Sequence, residues 1–170
     1  MANSNPNERK IVLLARWQRN CQRSSIGNYD AANIYTRRNY FLGIPAALLS
    51  AIVGTSVFAA LGKQVDTKIQ ITVGGISVLA AVLGSLQTFL KWGELASKHR
   101  AAAAEYNALK RFIDQILARQ SNEDPIDETE MDKIRIQMDT LARDTPELPA
   151  KIWADARKKI PLEEDRTRTD

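Results

Sequence analysis

The sequence predicts an all-α membrane protein, a two-span transmembrane helical hairpin with a small cytosolic helical bundle. Three observations lead there. Residues 39–62 and 69–90 carry no charged side chain, a short link joins these two apolar blocks, and the charges crowd into the rest of the chain. Outside the blocks, apolar residues recur at three- and four-residue spacing, with no strand-like alternation.

The averages conceal this division. A mean hydropathy of −0.31 and a pI of about 9.3 describe a soluble basic protein. In fact all 24 Lys and Arg and all 20 Asp and Glu lie outside the blocks. A hydrophobic content of 44% is ample for burial and argues against intrinsic disorder. A single cysteine, Cys21, excludes an internal disulfide framework and a cysteine-based zinc site. A single histidine, His99, excludes any site that needs two.

The first block, Tyr40 to Leu61, reads YFLGIPAALLSAIVGTSVFAAL, and the second, Ile69 to Leu90, reads IQITVGGISVLAAVLGSLQTFL. Each holds 22 residues, which as a helix extends about 33 Å and matches a hydrocarbon core of about 30 Å. Core helices of a soluble bundle are rarely apolar on all faces for so long, and a chain of this length could not cover two of them. The link Gly62–Lys68 has only seven residues, so the spans are expected to be antiparallel neighbours.

Orientation follows from the basic residues. Seven of them (Arg9, Lys10, Arg16, Arg19, Arg23, Arg37, Arg38) precede the first span against two acidic ones, a net +5, while the link carries +1. Lys91, Lys98 and Arg100 follow the second span. Both termini are therefore expected in the cytoplasm, and no cleavable signal peptide is expected. Membrane topology and anionic lipid account for the basic balance. No phosphate loop, zinc-finger spacing or aromatic-interleaved basic stripe points to nucleic acid.

The organisation is expected to run as follows. Residues 1–39 form an N-terminal cytosolic segment, with a disordered start over 1–7 and a helix from Glu8 to about Arg23 carrying Ile11, Leu14, Trp17 and Cys21 on one face. Ser24–Asn28 reads as a break, and a new helix from about Asp30 feeds the first span, where Pro45 predicts a kink or a restart. Residues 40–90 are the hairpin. Residues 91–120 continue the second span as one long cytosolic helix, with Trp92, Ala96, His99, Ala103, Tyr106, Leu109 (or Lys110), Ile113 and Ile116 on its stripe. Residues 121–160 hold the C-terminal helices: a turn at Asp124-Pro125, a helix from about Asp127 with Met131, Ile134, Met138 and Leu141 at heptad spacing, and a short helix with Ile152, Trp153, Ala156 and Ile160. Residues 161–170 read as a disordered tail.

No catalytic constellation emerges. The acidic residues alternate with basic ones along helix faces, and His99 has no reactive partner in sequence, so an enzyme is not expected, nor any cofactor or metal. His99 and Tyr106 fall on an apolar stripe, as do Met131, Ile134, Met138 and Leu141, and these six mark a cytosolic packing or partner interface. The informative pattern lies inside the spans. Gln70, Gly74, Ser77, Ala81, Gly84 and Thr88 follow one another at three- and four-residue spacing on the second span, while Gly43, Ala47, Ser50 and Gly54 form a small face on the first. Small residues at such spacing let helix backbones approach closely in lipid. Two readings stay open: the stripes pack against each other within the hairpin, or an oligomer gathers the second-span stripes around a narrow, weakly polar pore. Gln70 and Gln87 are costly in lipid without a partner. With no Asp, Glu, Lys, Arg or His inside either span, a proton relay or coupled transporter is disfavoured.

At these residues the chain resembles a known family. YFLGIPAALLSAIVGTSVF, the short link, and the run FLKWGELASKHRAAAAEYNALKRFI, which contains A-x-x-H-R-A-A-A-x-x-Y-x-x-L, are similar to the SLATT domain, the SMODS and SLOG-associating two-transmembrane effector domain. The resemblance covers roughly Leu13 to Leu117, and the region from Asp124 onward lies outside it. It implies a bacterial inner-membrane effector of an antiphage or conflict system, paired with a nucleotide-second-messenger synthase or a nucleotide sensor and proposed to permeabilise the membrane. The chain shows no such synthase or sensor domain, so a separate partner protein or a ligand site in the helical bundle is expected to supply the signal. The alternative is a membrane-anchored scaffold that recruits partners through its cytosolic stripes without forming a pore.

Overall fold

The computed structural model describes residues 6–60, 66–119 and 126–162, with the side chains of 59 and 60 left aside. The described residues form five helices: α1 (Pro6–Ala60), α2 (Thr67–Leu90), α3 (Trp92–Arg119), α4 (Glu128–Asp144) and α5 (Ala150–Lys159). The expected disordered start over 1–5, most of the link, the turn at Asp124-Pro125 and most of the tail fall outside them.

The chain divides into two compact units, one of residues 1–32 with 97–170 and one of residues 33–96. In the first, α1, α3 and α4 pack around Leu14, Cys21, Tyr106, Leu109, Ile113, Ile116, Ile126, Ile134 and Leu141. Ile11, Trp17, Met131 and Met138 pack against this core at its margin. The sequence stripes on all three helices thus converge on one another, and that burial supplies most of the unit's driving force.

Local signals set the helix ends. Pro6 suits a first turn because its missing N–H would have no intrahelical partner. Asp127 caps α4 by accepting from Thr129 N–H at 3.0 Å, and Glu128 and Glu130 lie in its positive first turn. Pro149 precedes α5, whose last turn collects Arg157, Lys158 and Lys159 where the dipole favours cations. Arg23, itself buried, donates to the Ile160 carbonyl from Nε and Nη2 at 3.2 and 2.7 Å and lies over the Trp153 ring. It supplies a partner to a carbonyl that a helix end would otherwise leave open.

Five expectations are corrected. Helix α1 already includes Pro6 and Asn7. It also runs without a break through Ser24–Asn28, because the breaker residues there have tertiary uses. The Ser25 hydroxyl donates to Ala103 O at 2.9 Å, Asn28 Nδ2 donates to Ser24 O at 2.9 Å, and Gly27 gives room to α5. A Cβ at Gly27 would stand 3.1 Å from Leu148 Cδ1 and 3.6 Å from Ala156 Cβ. Pro45 likewise falls inside α1 and does not restart it. The second span does not pass smoothly into the following helix. Lys91 adopts φ 46° and ψ 32°, in the left-handed region, and helical bonding resumes with Leu95 N–H to Lys91 O at 3.0 Å. Finally, Leu162 is buried at 7% exposure, so the tail does not begin at Pro161.

In the second unit the apolar part of α1 lies against α2. Asp66 caps α2 by accepting from Lys68 N–H at 2.9 Å. Residue 39 meets residue 93 and residue 43 meets residue 87, the order of an antiparallel pair. Both helices are long and apolar enough to cross a membrane, and only 6% of each apolar window is buried in the chain itself. A soluble core helix would be mostly covered. Here Phe41, Phe58 and Phe89 stand 79%, 76% and 84% exposed, which calls for an apolar solvent.

Candidate functional site

The second unit shows which of the small residues meet within the chain. Its intrachain contact uses Ala46 on α1 and Ala80 on α2, the two buried side chains of the pair, together with Gly43 and Gln87. Gly43 is where close approach matters. A Cβ there would lie 2.7 Å from Gln87 Nε2, so the Gln87 amide rests on bare backbone and is kept from hydrocarbon. Gly54, Gly74 and Gly84 differ: a Cβ on any of them would meet nothing within 4 Å.

The second-span stripe is therefore not in close contact with α1 along most of its length. Gln70, Gly74, Ala81 and Thr88 are exposed, while Ser77 and Gly84 are half-buried at the edge of the contact. On the first span Gly43 packs, Gly54 is half-buried, and Ala47 and Ser50 are exposed. Ser50, Val53 and Gly54 then join Ser77, Ala80, Ala81, Gly84, Ser85, Thr88 and Phe89 along an open groove of about 930 Å³ between the two helices. Sequence spacing missed Val53, Ala80 and Ser85 because the helix contact is rotated from the polar stripe toward the Ala80 line.

Three of the hydroxyls in this groove are already satisfied. Ser77 donates to Val73 O at 2.8 Å, Ser85 to Ala81 O at 2.8 Å and Thr88 to Gly84 O at 3.1 Å. Such bonds to the preceding turn let a hydroxyl face lipid at small cost while its oxygen stays able to accept from water or another helix.

In the first unit, His99 and Asn28 form a buried pair, with His99 Nδ1 2.7 Å from Asn28 Oδ1. Because Asn28 Nδ2 donates to Ser24 O, its Oδ1 is the atom facing the imidazole, and Nδ1 must carry the proton. Burial lowers the His99 pKa from its usual value. The Cys21 thiol, buried in the core, is pushed up to about 12, and burial also raises Tyr106 against a hydrogen bond from Thr145. At the margin, burial would raise Asp114, but hydrogen bonds from Lys110 (2.6 Å) and Gln18 (2.6 Å) and the Lys110 charge outweigh it and lower it. Met131, Ile134, Met138 and Leu141 all face this unit's own core. Among the described residues no cluster of His, Cys, Asp or Glu could hold a metal ion.

Two long, lipid-compatible helices with an open small-residue groove, and a separately packed helical unit, define a two-span helical membrane protein. The chain belongs to the SMODS and SLOG-associating 2TM effector domain family 4, which it matches over residues 28–170. Membership makes it a membrane effector of conflict systems of the kind that SMODS and SLOG proteins serve. The match also corrects the extent expected from the sequence: it includes everything after Asp124 and begins at Asn28, fifteen residues after Leu13. No curated protein and no solved structure matches the chain.

Proposed function

We propose that the chain is an inner-membrane effector of a bacterial antiphage system that oligomerises and permeabilises the membrane when triggered. In this reading residues 40–61 and 69–90 cross the bilayer, and the segments 1–39, 91–120 and 121–160 lie in the cytoplasm with both termini. The trigger comes from a separate sensor or nucleotide-second-messenger synthase and acts through the helical unit.

The observation that carries the reading is the openness of Gly54, Gly74 and Gly84. Had the stripes served only to zip the hairpin, these glycines would be covered by the partner helix. Left open beside self-satisfied hydroxyls, they suit contact with further copies and with a thin column of water. The scaffold alternative loses its main motive, because the heptad stripe of α4 faces the core of its own unit. The effector is proposed to act without catalysis; a hydrolase assay on the full chain in detergent, expected to read background, tests that.

The test of the pore is depolarisation and dye entry in bacteria expressing the chain. Gly74→Leu adds bulk where the hairpin has no neighbour, so insertion should persist while toxicity is lost. Undiminished toxicity in Gly74→Leu and Ser77→Leu would remove this face from the mechanism.

A further inference from the structure

At one end of the two apolar helices, the first charge-free run begins beside the end of the second. Asn39 lies against Gly93, where a Cβ would stand 3.5 Å from Asn39 Nδ2. This contact sets the start of the first run level with the end of the second, at Leu90. Immediately outside it, the Arg38 guanidinium carbon lies 5.7 Å from the Tyr35 ring centroid and 5.8 Å from that of Trp92. An arginine at this distance is within cation–π range of both rings, and such contacts leave its N–H donors available.

The surroundings favour an anion. Arg37 and Arg38 are exposed, and among the described residues neither is within ion-pair distance of a carboxylate. Lys91 adds a third cation at the same level, at 3.9 Å from Glu94 and with 71% of its side chain exposed. Just inside, Tyr40 and Phe41 stand 60% and 79% exposed. An anion reaching the arginines would therefore sit directly above apolar surface, which is the build of a lipid: phosphate above, acyl chain below.

We propose that Arg38, set beside Tyr35 and Trp92 and assisted by Arg37, is a docking site for the phosphate of an anionic lipid headgroup. The guanidinium edge offers paired N–H donors to the phosphate oxygens, and the acyl chains run down the exposed Phe41 side. The inference rests on the membrane-spanning reading and is independent of whether a pore forms.

Native mass spectrometry of the full chain in detergent, titrated with phosphatidylglycerol or phosphatidylcholine, tests it. Insertion is scored separately by resistance of the expressed protein to alkaline extraction, so loss of the site and loss of the membrane reading are distinguishable. The wild type should retain phosphatidylglycerol in preference to phosphatidylcholine. Arg38→Gln should weaken phosphatidylglycerol retention about fivefold, and Arg37→Gln with it further, without change for phosphatidylcholine. Arg38→Lys, which keeps the charge and loses the planar guanidinium with its paired donors, should fall between and serves if Arg38→Gln does not fold. Equal retention of the two lipids, or wild-type retention by Arg38→Gln or Arg38→Lys, would overturn the proposal. So would displacement of the lipid by millimolar inorganic phosphate, which would mark a site for free phosphate instead.

Discussion

Gly43 is the position where the hairpin tolerates an added atom least. Gly43→Leu should push the Gln87 amide off the backbone and lower the melting temperature in detergent, whereas Gly54→Ala, with open space around it, should change it little. An unchanged melt for Gly43→Leu would mean that the 43–87 contact does not hold the helices. His99 gives a second residue-scale prediction. Its pKa is lowered in the folded chain, so at pH values below about 6.5 the unfolded state binds more protons than the folded one. Stability should therefore be flat above that value and fall as pH drops through it, and Asn28→Leu should cost about 1–3 kcal/mol by leaving Nδ1–H buried without its acceptor. Melts of the full chain across mildly acidic pH check both; a slope of opposite sign would show that His99 is charged in the fold. Gly43 stood on the small face read from sequence, but its partner Gln87 and the role of Asn28 could not be singled out there, because each contact joins residues distant along the chain.

Among the elements, the join between α2 and α3 is the least regular. Lys91 holds a left-handed conformation that costs a residue with a Cβ roughly 1 kcal/mol or more. Lys91→Gly should be neutral or slightly stabilising, while Lys91→Ile should destabilise by about 1–2 kcal/mol, as read by thermal melts. Equal melts for the two would mean that the helix runs straight through. The break was not legible beforehand, since Leu90-Lys91-Trp92 contains no glycine or proline. The opposite error occurred at Ser24–Asn28, where Ser25, Gly27 and Asn28 resemble breakers yet sit inside α1 because tertiary partners occupy their polar groups and small volume. Arg23 gives the prediction for α5. Arg23→Met should release the Ile160 carbonyl and Trp153, and amide exchange over residues 150–159 should quicken well before the rest of its unit. Exchange that stays uniform across α3, α4 and α5 would argue that burial of Ile152 and Ala156 alone secures the helix.

At the scale of the whole molecule, the two apolar helices were legible because 22 residues without a charge leave few alternatives to lipid, and the family follows from the same runs. The sequence could not say which small residues meet within the chain. Spacing identified Gln70, Gly74, Ser77, Ala81, Gly84 and Thr88 as one stripe, but could not say whether α1 covers it, since that depends on how α2 is rotated. The rotation toward Ala80 leaves the stripe open, and the proposed permeabilising role depends on that. The most direct test is the membrane potential of bacteria expressing the chain with its neighbouring genes under phage challenge, wild type beside Gly74→Leu. Rapid depolarisation in the wild type, with an intact potential in an equally inserted variant, is the predicted result. An intact potential in the challenged wild type, or equal depolarisation in both, would contradict it.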